Sequence, residues 1–330
     1  PDVPKENIVV MGGMRFNPGI QGNCHLQHMT IRQAKESGVQ GESSFTMEDV
    51  LVEQCNNNGV VAVGTGVVGR CTNMEVRQSA YSGVCAVEGA SITLVGAKTT
   101  VHHNCSEGDS DDYGLNVRGP SSTIQLVSPL TKEQVATDNG GGGNWGVLPG
   151  DEGEDMPDIN QIKTMTKTEF AAVLQQEAAR ESRIKAASQK IKTAGTLHVP
   201  EDCGTFKEVM EAVHLVQMDR YLTDGRTSLL IVVGRGVHHI DSDSLEISSA
   251  MSIVGRPDVP KEQIVVLGGV RLAKKIEGTC HLQHLTLRQA KKSGVWGRSS
   301  FTMDDVLVEQ CGEGGVFACG TGVVGRCTNV

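Results

Sequence analysis

The residues best equipped for chemistry sit together in the segment HHNCSEGDSDDYG, which carries His102, His103, Glu107, Asp109, Asp111 and Asp112. Paired carboxylates beside imidazoles can divide the acid and base roles of glycoside hydrolysis. Closely spaced aspartates can also offer a cation the oxygen ligands it prefers, so Asp109, Asp111 and Asp112 are the metal candidates of the chain. A second constellation, Arg32, Glu53 and Arg77, falls at matching places in successive segments, and a carboxylate with an arginine base on one face is the apparatus of an eliminating lyase. The plainer alternative is a solvated acidic loop and a row of surface ion pairs, and this is the expectation adopted. Asn104-Cys105-Ser106 forms a glycosylation sequon of the rarer type, which matters only in a secretory context.

Ten cysteines invite a disulfide reading. Bridged partners would have to occupy one column of neighbouring coils. Cys55 instead aligns with Ala34 and Ser79, and Cys85 with Val61, so most of the thiols are expected to be small core residues. Zinc spacings are absent from the sequence, and no cofactor is expected.

The net charge of −9, with no basic stretch, argues against nucleic acid as a partner. No apolar run approaches the roughly 20 residues that span a bilayer, so no membrane partner is expected either. Self-association and a glycan remain, and an extracellular or cell-surface location is favoured. Aromatic residues make up only 3% of the chain, which leaves few flat faces for sugars to dock on.

The elements that must hold these residues follow from repetition. Residues 257–330 repeat residues 1–74 with 53 of 74 positions identical and no gap. PDVPKENIVV returns as PDVPKEQIVV, and CHLQHMTIRQAKESGV as CHLQHLTLRQAKKSGV. A whole domain is therefore copied in tandem. The second copy stops where the first runs on, so the chain reads as a window on a longer array of units of about 256 residues.

A shorter period lies inside the copy. Short strands end in Ile31, Val52, Val76 and Val101, in the contexts MTIRQ, VLVEQ, MEVRQ and TTVHH. Their alternation is a strand signal. A Gly-Val or Gly-Leu pair follows each, and a third apolar set precedes them at Leu26, Phe45, Val67, Ile92 and Ile124. Three short strands per turn describe a coil of a right-handed parallel β-helix. The four residues from Ile31 to Val101 should form one interior column, and Gln33, Gln54 and Gln78 an outward ladder whose amides bond along the axis.

Residues 196–256 should open the next unit. TLHVPEDCGTFKEVMEAVHLV reads as a strand, a turn and an amphipathic helix over about 205–216 that buries Phe206, Val209, Met210 and Val213. With GTFKEVMEAV, IVVGRGVHHI and MSIVGRP on the page, the chain resembles the pectate-lyase-like superfamily of β-helix proteins. The resemblance implies a mainly β fold with a helix plugging the first coil. For activity it implies little, because the fold serves lyases, hydrolases, esterases and purely structural proteins. Polygalacturonase-type relatives use clustered aspartates, but the basic and Gly-His-Gly partners expected downstream are not legible. GRGVHHI likewise lacks the acidic residue that the esterases carry.

Between the β-helical stretches, DNGGGGNWGV (138–147) reads as a flexible link and LPGDEGEDMPDIN (148–160) as an extended acidic one. A capping box from Thr166 to Glu169 then opens a helix over about 166–193, expected to pack on a β-helix flank or end. The domain expectation is thus 1–130 for the C-terminal part of one unit, 131–195 for linker and helix, and 196–330 for the cap helix and the N-terminal part of the next unit. The functional expectation is a non-catalytic structural repeat protein whose units join head to tail into a shaft or filament. The alternative is a carbohydrate-active enzyme, a polysaccharide lyase or glycoside hydrolase, or a sugar-binding surface protein on the same fold.

Overall fold

In the computed structural model, described over residues 4–20, 24–149, 158–218 and 229–330, the chain is mainly β, and every ladder is parallel. The eight acidic-link residues 150–157 lie outside the described residues. The strands fall into three parallel sheets, an arrangement compatible with a β-helix-like fold. The chain divides into two compact units, Pro1–Val173 and Leu174–Val330.

The first unit winds through strands β1 (Val9–Met11), β2 (Met14–Phe16), β3 (Cys24–Arg32), β4 (Val39–Gly41), β5 (Phe45–Glu53) and β6 (Val60–Val63). It continues through β7 (Val68–Thr72), β8 (Glu75–Arg77), β9 (Val84–Val87), β10 (Ser91–Val95), β11 (Thr100–His102), β12 (Tyr113–Arg118) and β13 (Thr123–Val127). A short helix α1 (Lys132–Val135) precedes β14 (Ala136–Thr137), β15 (Gly143–Leu148) and β16 (Ile162–Met165). Pairing sets three columns. The first runs Leu26, Met47, Cys71, Leu94, Leu126. The second runs Val10, Ile31, Val52, Val76, Val101, Ala136. The third runs Met14, Val39, Val60, Val84, Leu115. Ile31, Val52, Val76 and Val101 are fully buried, so the register read from the sequence holds.

The long strands β3 and β5 serve two columns each, because a left-handed residue bends them midway. His28 and Asp49 have φ of 51° and 52°, and Asn73 between β7 and β8 has 52°. A second set of such corners, Gln33, Gln54, Gln78 and His103, follows the second column. The Gly-Val pairs also find their reason. A Cβ on Gly59 would overlap Val76 Cγ1 and Gly83 O, so only glycine lets the turn press flat against the valine of the next coil.

Two expectations need correction. Leu26 and Phe45 do not share a register: Leu26 pairs with Met47, while Phe45 lies between Cys24 and Gly69. The Phe45 ring fills the space that the missing side chains of Gly41 and Gly69 leave open. The Gly-rich stretch is also not a free link, since β15 pairs with β12 over Tyr113–Arg118. Its glycines serve close packing, because a Cβ on Gly142 or Gly146 would collide with the Tyr113 ring.

Helix α2 (Lys167–Ala194) starts at the expected capping box: Thr166 Oγ1 accepts from Glu169 N at 3.1 Å, and Glu169 Oε2 accepts from Thr166 N at 2.7 Å. In the second unit follow β17 (Thr196–Val199), α3 (Phe206–Met218), β18 (Leu229–Val233), β19 (Gly236–Ile247) and β20 (Met251–Gly255). Then come β21 (Ile264–Leu272), β22 (Cys280–Arg288), β23 (Ser293–Gly297), β24 (Phe301–Glu309), β25 (Gly314–Ala318) and β26 (Gly325–Thr328). Its first column runs Leu197, Ile231, Ile253, Leu282, Met303, Cys327. Ile184, Ala187 and Ile191 of α2 share the core of this unit with Phe206, Val209 and Val213 of α3, and Phe206 meets the His238 ring edge-on at 6.2 Å. The α2 flank is thus packed, with Arg180 and Arg183 paired to Glu211 and Glu208 of α3.

Candidate functional site

The groups best placed for chemistry line a shallow groove of about 670 Å³ outside the second column. Strand register stacks Arg32, Glu53 and Arg77 in successive coils, one residue on from the buried Ile31, Val52 and Val76. The next residues, Gln33, Gln54 and Gln78, form the outward ladder, with each amide donating to the next at 3.4 Å. His102 and His103 close the groove.

Glu53 is the centre of this row. Its side chain is only 3% exposed, with Arg32 Nε on one oxygen and Arg77 Nη2 on the other at 2.7 Å. Burial alone would raise its carboxyl, but hydrogen bonds and charge from Arg77 and Arg32 outweigh that and hold it below the usual carboxylate range. Arg77 also donates to Glu75 Oε1 at 2.9 Å. The result is a chain of alternating charge in which Glu53 is ionised and both its oxygens are engaged. A carboxylate held this way carries no proton to donate, and a guanidinium stays charged. Beside this row stand His102 and His103, whose Nδ1 atoms lie 2.7 Å apart, with His102 Nε2 3.3 Å from Glu75.

The aspartates lie elsewhere, on the loop before β12. Asp109 Oδ1 accepts from Asp111 N at 2.9 Å, and Asp112 Oδ1 accepts from Ser82 Oγ at 3.2 Å and lies 3.6 Å from Arg118. The carbonyl of Asp111 accepts from Asn116 Nδ2 and from Arg118 Nη2. These contacts fold the loop back onto the sheet of β9 and β12, where Cys85 and Asn116 are buried. Among the described residues no three His, Cys, Asp or Glu side chains gather as a group that could hold a metal ion.

Asn104 is 1% exposed. Its Nδ2 donates to Val76 O, His102 O and Asn139 Oδ1 at 3.0–3.1 Å, and its Oδ1 accepts from Ser79 N at 3.0 Å. Asn139 repeats the pattern one coil on, donating to Val101 O and Thr137 O. This internal amide ladder was missed in the sequence, where Asn104 reads as a sequon residue. The available signal was its alignment with Cys55 and Ser79 in the buried side of the corner.

A second feature also escaped. Lys5 Nζ and His28 Nδ1 flank the two oxygens of Asp49 at 2.9 and 2.7 Å. Lys261, His284 and Asp305 repeat the cluster in the other unit. His284 Nε2 lies 2.8 Å from Val259 O, so both ring nitrogens face acceptors and the ring must be an imidazolium. The hydrogen bond to Asp305 raises its pKa above the ordinary value against a smaller opposing effect of burial. The identity of all three residues in both copies was the signal.

All ten cysteines are free, and six are buried. Burial pushes Cys71, Cys85 and Cys105 up to about 12, far from nucleophilic. No helix among the described residues is long and apolar enough to cross a membrane. No protein-family model matches the chain, and neither a curated protein nor a solved structure matches it significantly.

Proposed function

We propose that the chain is a non-catalytic structural repeat protein, in which right-handed, pectate-lyase-like parallel β-helix units follow one another in tandem and join end to end into an elongated shaft. The observation that carries this reading is the use to which the polar residues are put. Glu53 is clamped by two arginines, Asp109 and Asp112 bond within their own loop, and Asn104 and Asn139 bond backbone groups of neighbouring coils. Glu53, Asn104 and Asn139 hold one coil to the next and the aspartates hold their own loop, where an enzyme would aim such groups at a substrate. The gap-free recurrence of 74 residues supports the same view, since equivalent coils can repeat the same contacts in every unit.

Two measurements test it. Protein containing at least two complete units, viewed by electron microscopy and light scattering, should form rods whose length grows with unit number. Polygalacturonate and alginate should remain intact in its presence. Compact particles, or cleavage that is lost when Asp109, Asp111 and Asp112 are replaced together by Asn, would overturn the proposal in favour of a carbohydrate-active enzyme.

A further inference from the structure

The tripeptide Val-His-His occurs twice in the chain, and the fold uses it in two ways. Within β19, Val237, His238 and His239 alternate across the strand as neighbours in a regular strand do. His238 is buried with its Nε2 3.0 Å from Gly234 O, while His239 is exposed on the opposite side. At the end of β11 the same tripeptide meets a corner. Val101 is buried and His102 turns outward. His103, at a φ of 55°, breaks the alternation, so its imidazole stands on the same outer face. The two Nδ1 atoms are 2.7 Å apart. The preceding corners set Arg32 beside Gln33, Glu53 beside Gln54 and Arg77 beside Gln78 in the same manner. At this coil the architecture that aligns guanidinium, carboxylate and amide brings two imidazoles together instead.

Glu75 decides how the rings face each other. Its Oε1, 3.3 Å from His102 Nε2, is an acceptor, so the neutral His102 ring carries its proton there and turns the Nδ1 lone pair towards His103. A carboxylate that fixes the tautomer in this way is the usual support of a metal-ligating histidine. His103 donates from Nδ1 to His102 when no ion is bound, and moving that proton to its Nε2 leaves two lone pairs converging on one point. Metal–nitrogen bonds of about 2.0–2.1 Å at angles of about 90–110° place neighbouring ligand nitrogens about 2.9–3.4 Å apart. The rings therefore need to part by only about 0.2–0.7 Å.

The surrounding charges allow a cation. Arg77, opposite His102 in the preceding coil, has its charge met by Glu53 and Glu75. On the other side the exposed Asp138 occupies the same left-handed corner one coil on, where its carbonyl accepts from His103 N at 3.1 Å. One carboxylate thus stands behind His102, and a second borders His103.

We infer that His102 and His103 chelate a divalent transition-metal ion, Cu2+ above others, with Glu75 as the residue that positions His102. On binding, two water ligands leave the ion and two metal–Nδ1 bonds form. The His103 proton passes from Nδ1 to Nε2, so no proton is released and no oxidation state changes. The protein supplies two ligands where a closed site supplies four, and water fills the remaining positions. Imidazole favours Cu2+ over Ni2+ and Zn2+, whereas Ca2+ and Mg2+ take oxygen ligands and should not compete. The pair lies within the first unit, so it holds whether or not units join into a shaft.

Cu2+ itself is the probe, added to the full chain carrying Cys319→Ser and Cys327→Ser to remove two exposed thiols. Calorimetric titration should show one equivalent bound that His102→Gln and His103→Gln each weaken at least about tenfold. Electron paramagnetic resonance should show two nitrogen ligands in this protein and fewer in either variant. Glu75→Gln should weaken binding by about tenfold or more with both nitrogens still on the ion. His239→Gln and an excess of Ca2+ should change nothing. His103→Gln matches the glutamines of the three preceding corners, so its metal-free unfolding midpoint should equal that of the parent, which separates a lost ligand from a lost fold. Copper binding that survives either corner substitution, an equal loss in His239→Gln, displacement by Ca2+, or no uptake at all overturns the site. Unchanged affinity in Glu75→Gln overturns its positioning role.

Discussion

Replacing Asn104 with Ala should cost the first unit far more than any exposed polar change, and the amount can be worked from its contacts. The side chain is 1% exposed and makes four hydrogen bonds of 3.0–3.1 Å. Truncation strips Ser79 N and Val76 O of these partners inside the protein, whereas Asn139 Oδ1 still receives Asn104 N at 3.0 Å. Each buried polar group left unpaired costs about 1–3 kcal/mol. With a small cavity added, the loss comes to about 3–5 kcal/mol. The control is Gln54→Ala, which removes an exposed amide at 3.4 Å from its neighbours and should change stability by less than about 0.5 kcal/mol. Urea unfolding followed by Trp145 fluorescence, in a Trp296→Phe background, reads the first unit separately. At a slope of about 2 kcal/mol/M, the Asn104→Ala midpoint should fall by roughly 1.5–2.5 M. Hydrogen exchange at the Ser79 amide should lose protection in the same variant. A loss under about 1 kcal/mol, or a Gln54→Ala cost of equal size, would refute the view that the inner amide ladder and not the outer one holds the coils.

Three further outcomes are expected. Gly59→Ala should destabilise the first unit by about 2–3 kcal/mol, because its Cβ would meet Gly83 O as well as Val76; a change within about 0.5 kcal/mol in the same urea titration would show that the turn can move. His284 should titrate above the ordinary imidazole value by NMR. Since its folded pKa is raised, the stability it lends is complete below about pH 6.5 and fades as pH rises through the folded value, a slope that His284→Gln should abolish; a titration at or below 6.5 would sink the clasp. With a thiol reagent under native conditions, the exposed Cys319 should react promptly, while Cys71 and Cys85 should wait for denaturant; early labelling of either buried thiol, located by mass spectrometry, would contradict their burial.

The parts of the fold legible in the sequence are those where one residue type recurs under one constraint. The valine column, the Gly-Val turns, the glutamine ladder and the capping box at Thr166 all repeat a single local requirement. The hidden parts depend on what lies a coil away. Asn104 looks like any loop asparagine until Val76 O and Ser79 N are seen beside it. The glycines from Gly140 to Gly146 read as flexibility, although Gly142 and Gly146 are there because Tyr113 lies against them. The displacement of Phe45 from Leu26 was equally invisible, since it follows from the room above Gly69. For the candidate groove, the stacking of Arg32, Glu53 and Arg77 was legible. The clasp of Lys5, His28 and Asp49 was not, because Lys5 lies in a short turn outside the strand register that aligns His28 with Asp49.

The left-handed corners decide where this protein can accept new sequence. An ordinary side chain held at a φ of 50–60° is tolerable here because the same corner recurs in coil after coil, and an insertion at Gln54 or Asp49 would throw every later corner out of line. The stretch after the second column obeys no such rule. From Val101 to Leu115 it is six residues longer than from Val76 to Val84, and the surplus lies folded on the outside of the β9–β12 sheet without disturbing the pairing of β9 with β12. Variation in this molecule is therefore sorted by position: coil corners are fixed, whereas the loop ahead of β12 is a docking bay for foreign peptide. An epitope or affinity tag grafted there would be displayed beside β12 with the β9–β12 pairing left in place.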